Sequence, residues 1–509
     1  MLQDLSYANY TADCKWVIVS NYREVRLYQT SKTPAYYEQF LLTDLADLEQ
    51  FKRFYFLLCR QNFLPSADTL QAFSRIDLLL QESNEAQEDI TKQLYQEYKQ
   101  VRLEIARYFR AKAPADIPNR DATLIEKAQK VLDRILFIAF CEDRGLLPAK
   151  TLATAHDHKD PYNPRSIWDN YKTVFRWVDQ GNEDPPIPGY NGGLFKLDVV
   201  LDEQLELPDL LCFQLKQLTR FDFDTEVSVD ILGHIFEQSV TDLEELRALA
   251  AGQEYDPKKG KRKTQGVFYT PAFITQYIVE VALGGYLRRR EEELLYDCGL
   301  EYISLKATRE LKDAEIQFWQ AYRDQVLLKL RVIDPACGSG AFLVAAFDYL
   351  LRQYERVNQA LAGLKEGQRS LFDLSKTILN NNLYGVDLSP ESVEITKLSL
   401  WLKTAERGKA LTYLDDNIKV GNSIVADPQV ADRAFDWEAG FAQVFADGGF
   451  DVAIGNPPYV RQELLSPIKP YLQQHYESYD GVADLYTYFY EKGLKILKRG
   501  GVMSYMCDE

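Results

Sequence analysis

Three short segments of this chain hold residue types that could bind and react with a small polar molecule. Asp334-Pro335-Ala336-Cys337-Gly338-Ser339-Gly340 places an acid and a proline before two closely spaced glycines. Glycine lets a backbone turn tightly and approach a ligand closely. Leu383-Tyr384-Gly385-Val386-Asp387 is an apolar run that ends in a second acid, and a carboxylate there can accept both hydroxyls of a ribose. Asn456-Pro457-Pro458-Tyr459 follows another apolar run, Phe450 to Gly455. Its two prolines fix the backbone and lack N–H donors, so the carbonyls of Asn456 and Pro457 are open to a site. The Asn456 side chain adds an acceptor and Tyr459 a flat ring. This set suits a planar base with an exocyclic amine.

The elements that must position these residues follow from the flanking pattern. Val332-Ile333 reads as a strand, and the apolar residues from about Ala341 to Leu351 read as a helix. The glycine turn therefore sits between a strand end and a helix N-terminus, where unpaired N–H groups and the helix dipole favour a polar or anionic group. In an open α/β sheet, ligands lie at the carboxyl ends of the strands. Asp387 ends the next strand. Ser389 is the better helix cap, with Pro390 at the first helical position, which leaves Asp387 to face the ligand. Each segment alone has a plain structural reading: a glycine turn, a helix cap, a proline-rich turn after a strand. Their order makes the shared site the better reading. A fourth segment, Gly266-Val-Phe-Tyr-Thr-Pro271, leads into a helix from about Ala272 to Leu283, with Thr270 and Pro271 as its entry.

Together these segments resemble the adenine-N6 class of DNA amino-methyltransferases, and most of all the fused type IIG restriction–modification enzymes. The resemblance rests on G-V-F-Y-T-P at 266–271, D-P-A-C-G-S-G at 334–340, Y-G-V-D at 384–387, G-N-S at 421–423 and N-P-P-Y at 456–459. It implies an α/β chain with an incomplete Rossmann-like S-adenosylmethionine-dependent methyltransferase sheet, preceded by a mostly α-helical connector. It also implies S-adenosylmethionine as cofactor, held by Tyr269, Thr270, Pro271, Asp334, Pro335, Ala336, Cys337, Gly338, Gly340, Asp387 and Asn422. Asn422 or Ser423 is placed to meet the cofactor's adenine; a plain turn at the end of a strand is the other reading. Asn456, Pro457, Pro458 and Tyr459 become the catalytic set, acting on a base flipped out of double-stranded DNA. No metal is implied for methyl transfer.

Composition fits an intracellular, cytoplasmic enzyme. The 509 residues are 46% hydrophobic and 27% charged, enough for a large core. Seven Cys lack paired or metal-ligand spacing, and four His are too few to suggest a histidine-rich metal centre. No stretch has the length and apolarity of a membrane span, and the N-terminus lacks the apolar core of a signal peptide. The net charge of −17 argues against a nucleic-acid partner only globally, because phosphate contacts need local Lys and Arg. One basic run, Lys258 to Lys263, reads either as a solvated loop or as a DNA-backbone contact.

Along the chain, residues 15–20 and 23–28 predict a hairpin around Asn21-Tyr22, similar to the closing strands of a type IIG nuclease domain. The acid and E-x-K of such a nuclease do not precede it, and Glu97-Tyr98-Lys99 reads as a solvated helix face, so no magnesium-dependent cleavage is expected. Residues 1–30 are read as a remnant hairpin, 31–255 as a helical connector and 256–509 as the methyltransferase domain. Helices are predicted over Asp44–Gln61, Ile90–Arg110 and Leu124–Phe140, and irregular surface over Pro161–Gly193. Cys141–Leu147, Asn191–Phe195 and Ile231–Gln238 resemble connector segments of the same enzymes. Gly500-Gly501 is expected to open the last strand, Val502–Met506, and the chain is expected to be truncated at both ends, without a target-recognition domain. The alternatives are an inactive DNA-binding fragment and an amino-methyltransferase for cytosine N4 or a protein side-chain amide.

Overall fold

The computed structural model describes residues 16–21, 23–29, 37–64, 74–162, 164–187, 189–190, 194–223, 227, 235, 270, 272–298, 300, 308–364, 373–404 and 412–506. Lys258–Lys263, Tyr269, Pro271 and all of Ile231–Gln238 except Ile235 lie outside them. The chain divides into two compact units, residues 1–89 and 90–509.

In the first unit, β1 (Trp16–Ser20) and β2 (Glu24–Gln29) form the expected hairpin, with Ser20 opposite Val25. Asn21 Oδ1 accepts from the Arg23 and Glu24 amides and so closes the turn. A third strand, β3 (Tyr37–Leu41), pairs antiparallel with β2, where helix was expected from about residue 31. Alternation explains it: Phe40 is buried, while its neighbours Gln39 and Leu41 are exposed. The helix Leu48–Leu58 follows, capped by Asp47, whose carboxylate accepts from the Glu49 and Gln50 amides.

The second unit holds the site. Its helical part centres on Arg120–Asp143, which is buried over most of its surface, including Leu132, Ile135, Phe137 and Ile138. Gly145, at φ 66°, ends the turn that follows this helix, as expected. Pro161–Gly193 is not irregular throughout: Ile167–Gln180 is a helix with Trp168, Tyr171, Val174, Phe175 and Val178 buried on one face. Its 3.6-residue periodicity lies between turn-forming residues, whose composition dominates the stretch. Arg134, fully buried, explains the neighbouring Leu194-Phe195. Its guanidinium donates to the carbonyls of Leu194 and Lys196 and to Asp202, and it lies over the rings of Phe175 and Phe195. Glu97 pairs with Arg220 and Tyr98 is buried, so that segment is not a wholly solvated face.

The sheet runs β6-β5-β4-β7-β8, all parallel: β4 (Val332–Asp334), β5 (Leu383–Asp387), β6 (Ile418–Val420), β7 (Phe450–Gly455) and β8 (Leu497–Tyr505). β8 begins before the glycines predicted to open it, and the register shift between Phe450 and Val452 absorbs Gly500 at φ 84°. Period-two alternation covers both faces. Val332, Leu383, Val452 and Ile454 join the core that runs back to the connector helices. Ile333, Tyr384, Val386 and Ala453 face a second core containing Phe435, Trp437, Phe441 and Phe450. The helices Ala341–Leu364, Leu374–Asn381, Pro390–Thr404 and Leu485–Ile496 connect or flank the strands. No helix among the described residues is long and apolar enough to cross a membrane.

Candidate functional site

The strand order reverses between β4 and β7, because β5 and β6 lie on one side of β4 and β7 and β8 on the other. Such a switch point opens a crevice at the carboxyl ends of the strands. Asp334, Asp387 and Asn456 all stand at those ends, so one side of the sheet gathers residues 122 positions apart in sequence.

The glycine turn is built for close approach. Gly338 is at φ 54° and Gly340 at φ 85°. A Cβ on Gly338 would meet no atom within 4 Å, so its exposed side opens onto space. A Cβ on Gly340 would lie 3.0 Å from Thr396, so that glycine serves helix–turn packing instead. Thr396 Oγ1 donates to the Gly338 carbonyl at 2.9 Å and Ser399 Oγ to the Ser339 carbonyl at 3.3 Å, which fixes the turn from below. Cys337 is buried, and its Sγ would lie 3.1 Å from a Cβ on Gly385. Burial pushes its thiol pKa well up, so it is a small neutral packing group and not a nucleophile.

Asp387, expected to face a ligand, also holds two loops. Its Oδ2 accepts from the Gly338 amide at 2.9 Å and its Oδ1 from the Ser389 amide at 2.8 Å. The carboxylate therefore ties the first loop to the second while standing at the end of β5. Ser389 caps the following helix as expected, its Oγ accepting from the Ser392 amide. Asp334 is fully buried. Its Oδ1 accepts from the Ala336 amide at 3.0 Å, and its Oδ2 has no hydrogen-bond partner among the described residues. Desolvation, with a smaller push from Asp387, raises its pKa to about 8. Gly455 is required beside it, because a Cβ there would come within 2.6 Å of Asp334 Oδ1.

The loop after β6 supports the crevice. Asn422 Oδ1 accepts from the Ile424 and Val425 amides, and Ser423 Oγ donates to the Pro335 carbonyl at 2.6 Å. Both side chains thus shape the loop. Arg433 had no signal in the sequence. It adopts φ 57°, accepts from the Asn422 amide through its carbonyl at 2.7 Å, and donates from Nη1 to the Leu388 carbonyl at 2.9 Å. It clamps the loops after β5 and β6 together. Its left-handed backbone is unusual for a non-glycine residue, and only the tertiary contacts account for it.

Asn456 Nδ2 donates to Thr270 Oγ1 at 3.0 Å, across 186 residues. This contact brings the buried Thr270 to the end of β7 and orients the Asn456 carboxamide. The Tyr459 ring lies 6.3 Å from that of Tyr486, tilted by 52°. The structure therefore gathers Thr270, Asp334, Pro335, Gly338, Asp387, Asn422 and Asn456 about one end of the sheet. Among the described residues, no group of three His, Cys, Asp or Glu stands close enough to hold a metal ion.

Residues 381–509 match the Eco57I restriction–modification methylase family. The chain is 30% identical over 336 residues to a putative type II restriction enzyme and methyltransferase of Methanocaldococcus jannaschii, covering 58% of this chain and 27% of that protein. It is 25% identical over 408 residues to the type II restriction enzyme and methyltransferase RM.Eco57I of Escherichia coli, covering 75% of this chain and 36% of the relative. The matches thus span about a third or less of those relatives' lengths. A solved structure of the type IIL restriction–modification enzyme MmeI in complex with DNA superposes with a TM-score of 0.51 and 18% identity, covering 79% of this chain and 48% of that one, a likeness of fold. The open glycine cradle, the buried Asp334 Oδ2 and the acid ending β5 fit S-adenosylmethionine, the cofactor that this fold and family imply. The chain is thus similar over much of its length to type II restriction enzymes and methyltransferases, similar over residues 381–509 to the Eco57I restriction–modification methylase family, and built on the α/β parallel sheet of the S-adenosylmethionine-dependent methyltransferase fold.

Proposed function

We propose that the chain is a DNA adenine-N6 methyltransferase of a restriction–modification system, with residues 256–509 as its methyltransferase domain and 31–255 as a helical connector. The observation that carries this reading is the Asn456–Thr270 hydrogen bond, at the end of the strand beside the Asp334 and Gly338 cradle. It supports an amine-binding group held in place before substrate arrives. When bound, S-adenosylmethionine supplies an electrophilic methyl group on its sulfonium sulfur. Asp387 accepts the ribose hydroxyls, the Gly338 turn gives close backbone approach, and Asp334 meets the cofactor's positive charge in a desolvated setting. Pro335, Ala336, Cys337, Gly340, Asn422, Tyr269 and Pro271 complete the proposed cofactor shell.

The target amine is a weak nucleophile, since its lone pair is delocalised into the ring. Asn456 Oδ1 and the Pro457 carbonyl accept its two hydrogens and favour the tetrahedral nitrogen that can attack. Pro458 keeps that carbonyl pair in register, and Tyr459 stacks on the base once it has left the duplex. Bound S-adenosylmethionine would supply the methyl group as the electrophile with its sulfur as the leaving group, while Asn456 and Pro457 would hold the attacking amine, whose extra proton would pass to solvent. Placement and electrostatics suffice, with no covalent enzyme intermediate.

The test combines calorimetric titration of S-adenosylmethionine with transfer of tritiated methyl to unmethylated double-stranded DNA, followed by nucleoside analysis. The reading expects cofactor binding and label in N6-methyladenine. Label in N4-methylcytosine or in protein, or DNA binding without any label, would overturn it.

A further inference from the structure

The helix Leu485–Ile496 is fastened to the segment that follows Tyr459. The Leu485 amide donates to the Val460 carbonyl at 2.9 Å, and the Gln462 amide donates to Asp484 Oδ1 at 2.7 Å. These two bonds fix the first turn of the helix against the exit of the N-P-P-Y loop. Tyr486 stands in that first turn, half-buried, with its ring 6.3 Å from the Tyr459 ring. Tyr490, one helical turn on, lies on the same face. Its ring is 6.4 Å from Tyr486 and 5.6 Å from Tyr505, which is buried at the end of β8. Tyr488 and Phe489 belong to the second core, as does Tyr505, and Tyr490 packs against it, so the helix is held on the sheet. A row of rings, Tyr505, Tyr490 and Tyr486, thus runs from the buried end of β8 out to Tyr459.

We infer that Tyr486 is a positioning residue for the target base: it sets the plane of the Tyr459 ring on which an unstacked base with an exocyclic amine would lie. The inference rests on the reading of Tyr459 as that platform. A tyrosine ring at the end of a loop can rotate about its side-chain torsions. A neighbouring ring tilted by 52° offers its positive edge or its negative face, and this limits the rotation. Tyr490 and Tyr505 buttress Tyr486 in turn, so the orientation is referred to the sheet itself. The ring of Tyr486 makes this contact without its hydroxyl, so phenylalanine should serve as well.

The test uses the full chain with S-adenosylmethionine and a short duplex carrying 2-aminopurine opposite an abasic site, which offers an already unpaired fluorescent base. Four proteins are compared: the parent, Tyr459→Ala, Tyr486→Ala and Tyr486→Phe. Stacking on the parent should quench the fluorescence, and Tyr459→Ala should abolish most of that quenching. Tyr486→Ala should leave cofactor affinity unchanged and raise the half-saturating DNA concentration about five- to tenfold, the lower part of the range for losing a base–aromatic stack. Tyr486→Phe should restore parental behaviour. If Tyr486→Ala matches the parent while Tyr459→Ala does not, the inference fails and the platform reading stands. If Tyr459→Ala also matches the parent, or the parent does not quench, the platform reading fails and takes the inference with it. Loss of cofactor affinity in Tyr486→Ala, or failure of Tyr486→Phe to restore quenching, would overturn the inference by assigning Tyr486 a general structural role or a hydroxyl role instead.

Discussion

Replacing Asp334 with asparagine should stabilise the cofactor-free protein and weaken its hold on the cofactor. The carboxyl is fully buried, and its pKa is raised from 3.8 to about 8. The folded protein therefore binds this proton more tightly than the unfolded chain does. Stability is undiminished by this group below pH 3.8 and falls as pH rises towards 8, where the folded form also ionises. At pH 7 the accumulated cost is about 4 kcal/mol, at 1.36 kcal/mol for each pH unit above the unfolded value. The variant Asp334→Asn keeps the acceptor for the Ala336 amide and replaces Oδ2 by a neutral amide nitrogen. That nitrogen has no partner at hand among the described residues and should cost about 1–3 kcal/mol. The net expectation is a gain of about 1–3 kcal/mol at pH 7, shrinking to a loss near pH 4. Urea denaturation of parent and variant at pH 4, 5.5, 7 and 8.5 measures this directly. Calorimetry at pH 8.5, where the folded parent also carries Asp334 ionised, should show weaker S-adenosylmethionine binding by the variant, because the negative charge proposed to meet the cofactor's cation is gone. A variant that is less stable than the parent at pH 7 and 8.5, or a difference that does not change with pH, would refute the reasoning.

The same geometry fixes the outcome of other substitutions. Asp387→Ala should weaken S-adenosylmethionine binding by about 1–3 kcal/mol, read by calorimetry, since it removes a charged acceptor and unties the Gly338 and Ser389 amides. Gly338→Ala should lower cofactor affinity while costing the fold only about 1–2 kcal/mol for its left-handed φ of 54°, whereas Gly340→Ala should cost stability first, because its Cβ would press on Thr396 at 3.0 Å; denaturation and titration side by side separate the two. Arg433→Ala should loosen the loops after β5 and β6 and weaken cofactor binding severalfold with the global unfolding midpoint nearly unchanged, as an exposed residue clamping one carbonyl would.

The sheet was legible in the sequence because its strand ends carry residues with narrow uses. Two glycines at positive φ, an acid closing an apolar run and a double proline each restrict the backbone locally, and β4, β5 and β7 end where those residues predict. The helix Ile167–Gln180 was obscured because Pro, Asn and Gly crowd its flanks, although its apolar positions repeat at helical spacing. β3 was missed because five residues give too short an alternation to compete with the helical pattern that follows. Within the site, the missing pieces are those that depend on distant partners. Nothing near Thr270 signals a bond to Asn456, and nothing near Arg433 signals the Leu388 carbonyl. Asn422 also has a local role that its motif did not signal, its side-chain oxygen accepting from the Ile424 and Val425 amides.

If Asn456 holds the reacting amine and the β4–β5 crevice holds the cofactor, the two functions should separate in one variant. Asn456→Ala removes the carboxamide that Thr270 orients and leaves Asp334, Gly338 and Asp387 in place. S-adenosylmethionine titration and tritiated methyl transfer to unmethylated duplex DNA, run on the parent and on Asn456→Ala, make the most direct measurement. The expected result is parental cofactor affinity and a loss of turnover in the variant, because the contact strengthens only as the amine becomes tetrahedral. Methyl transfer by Asn456→Ala at the parental rate would contradict it.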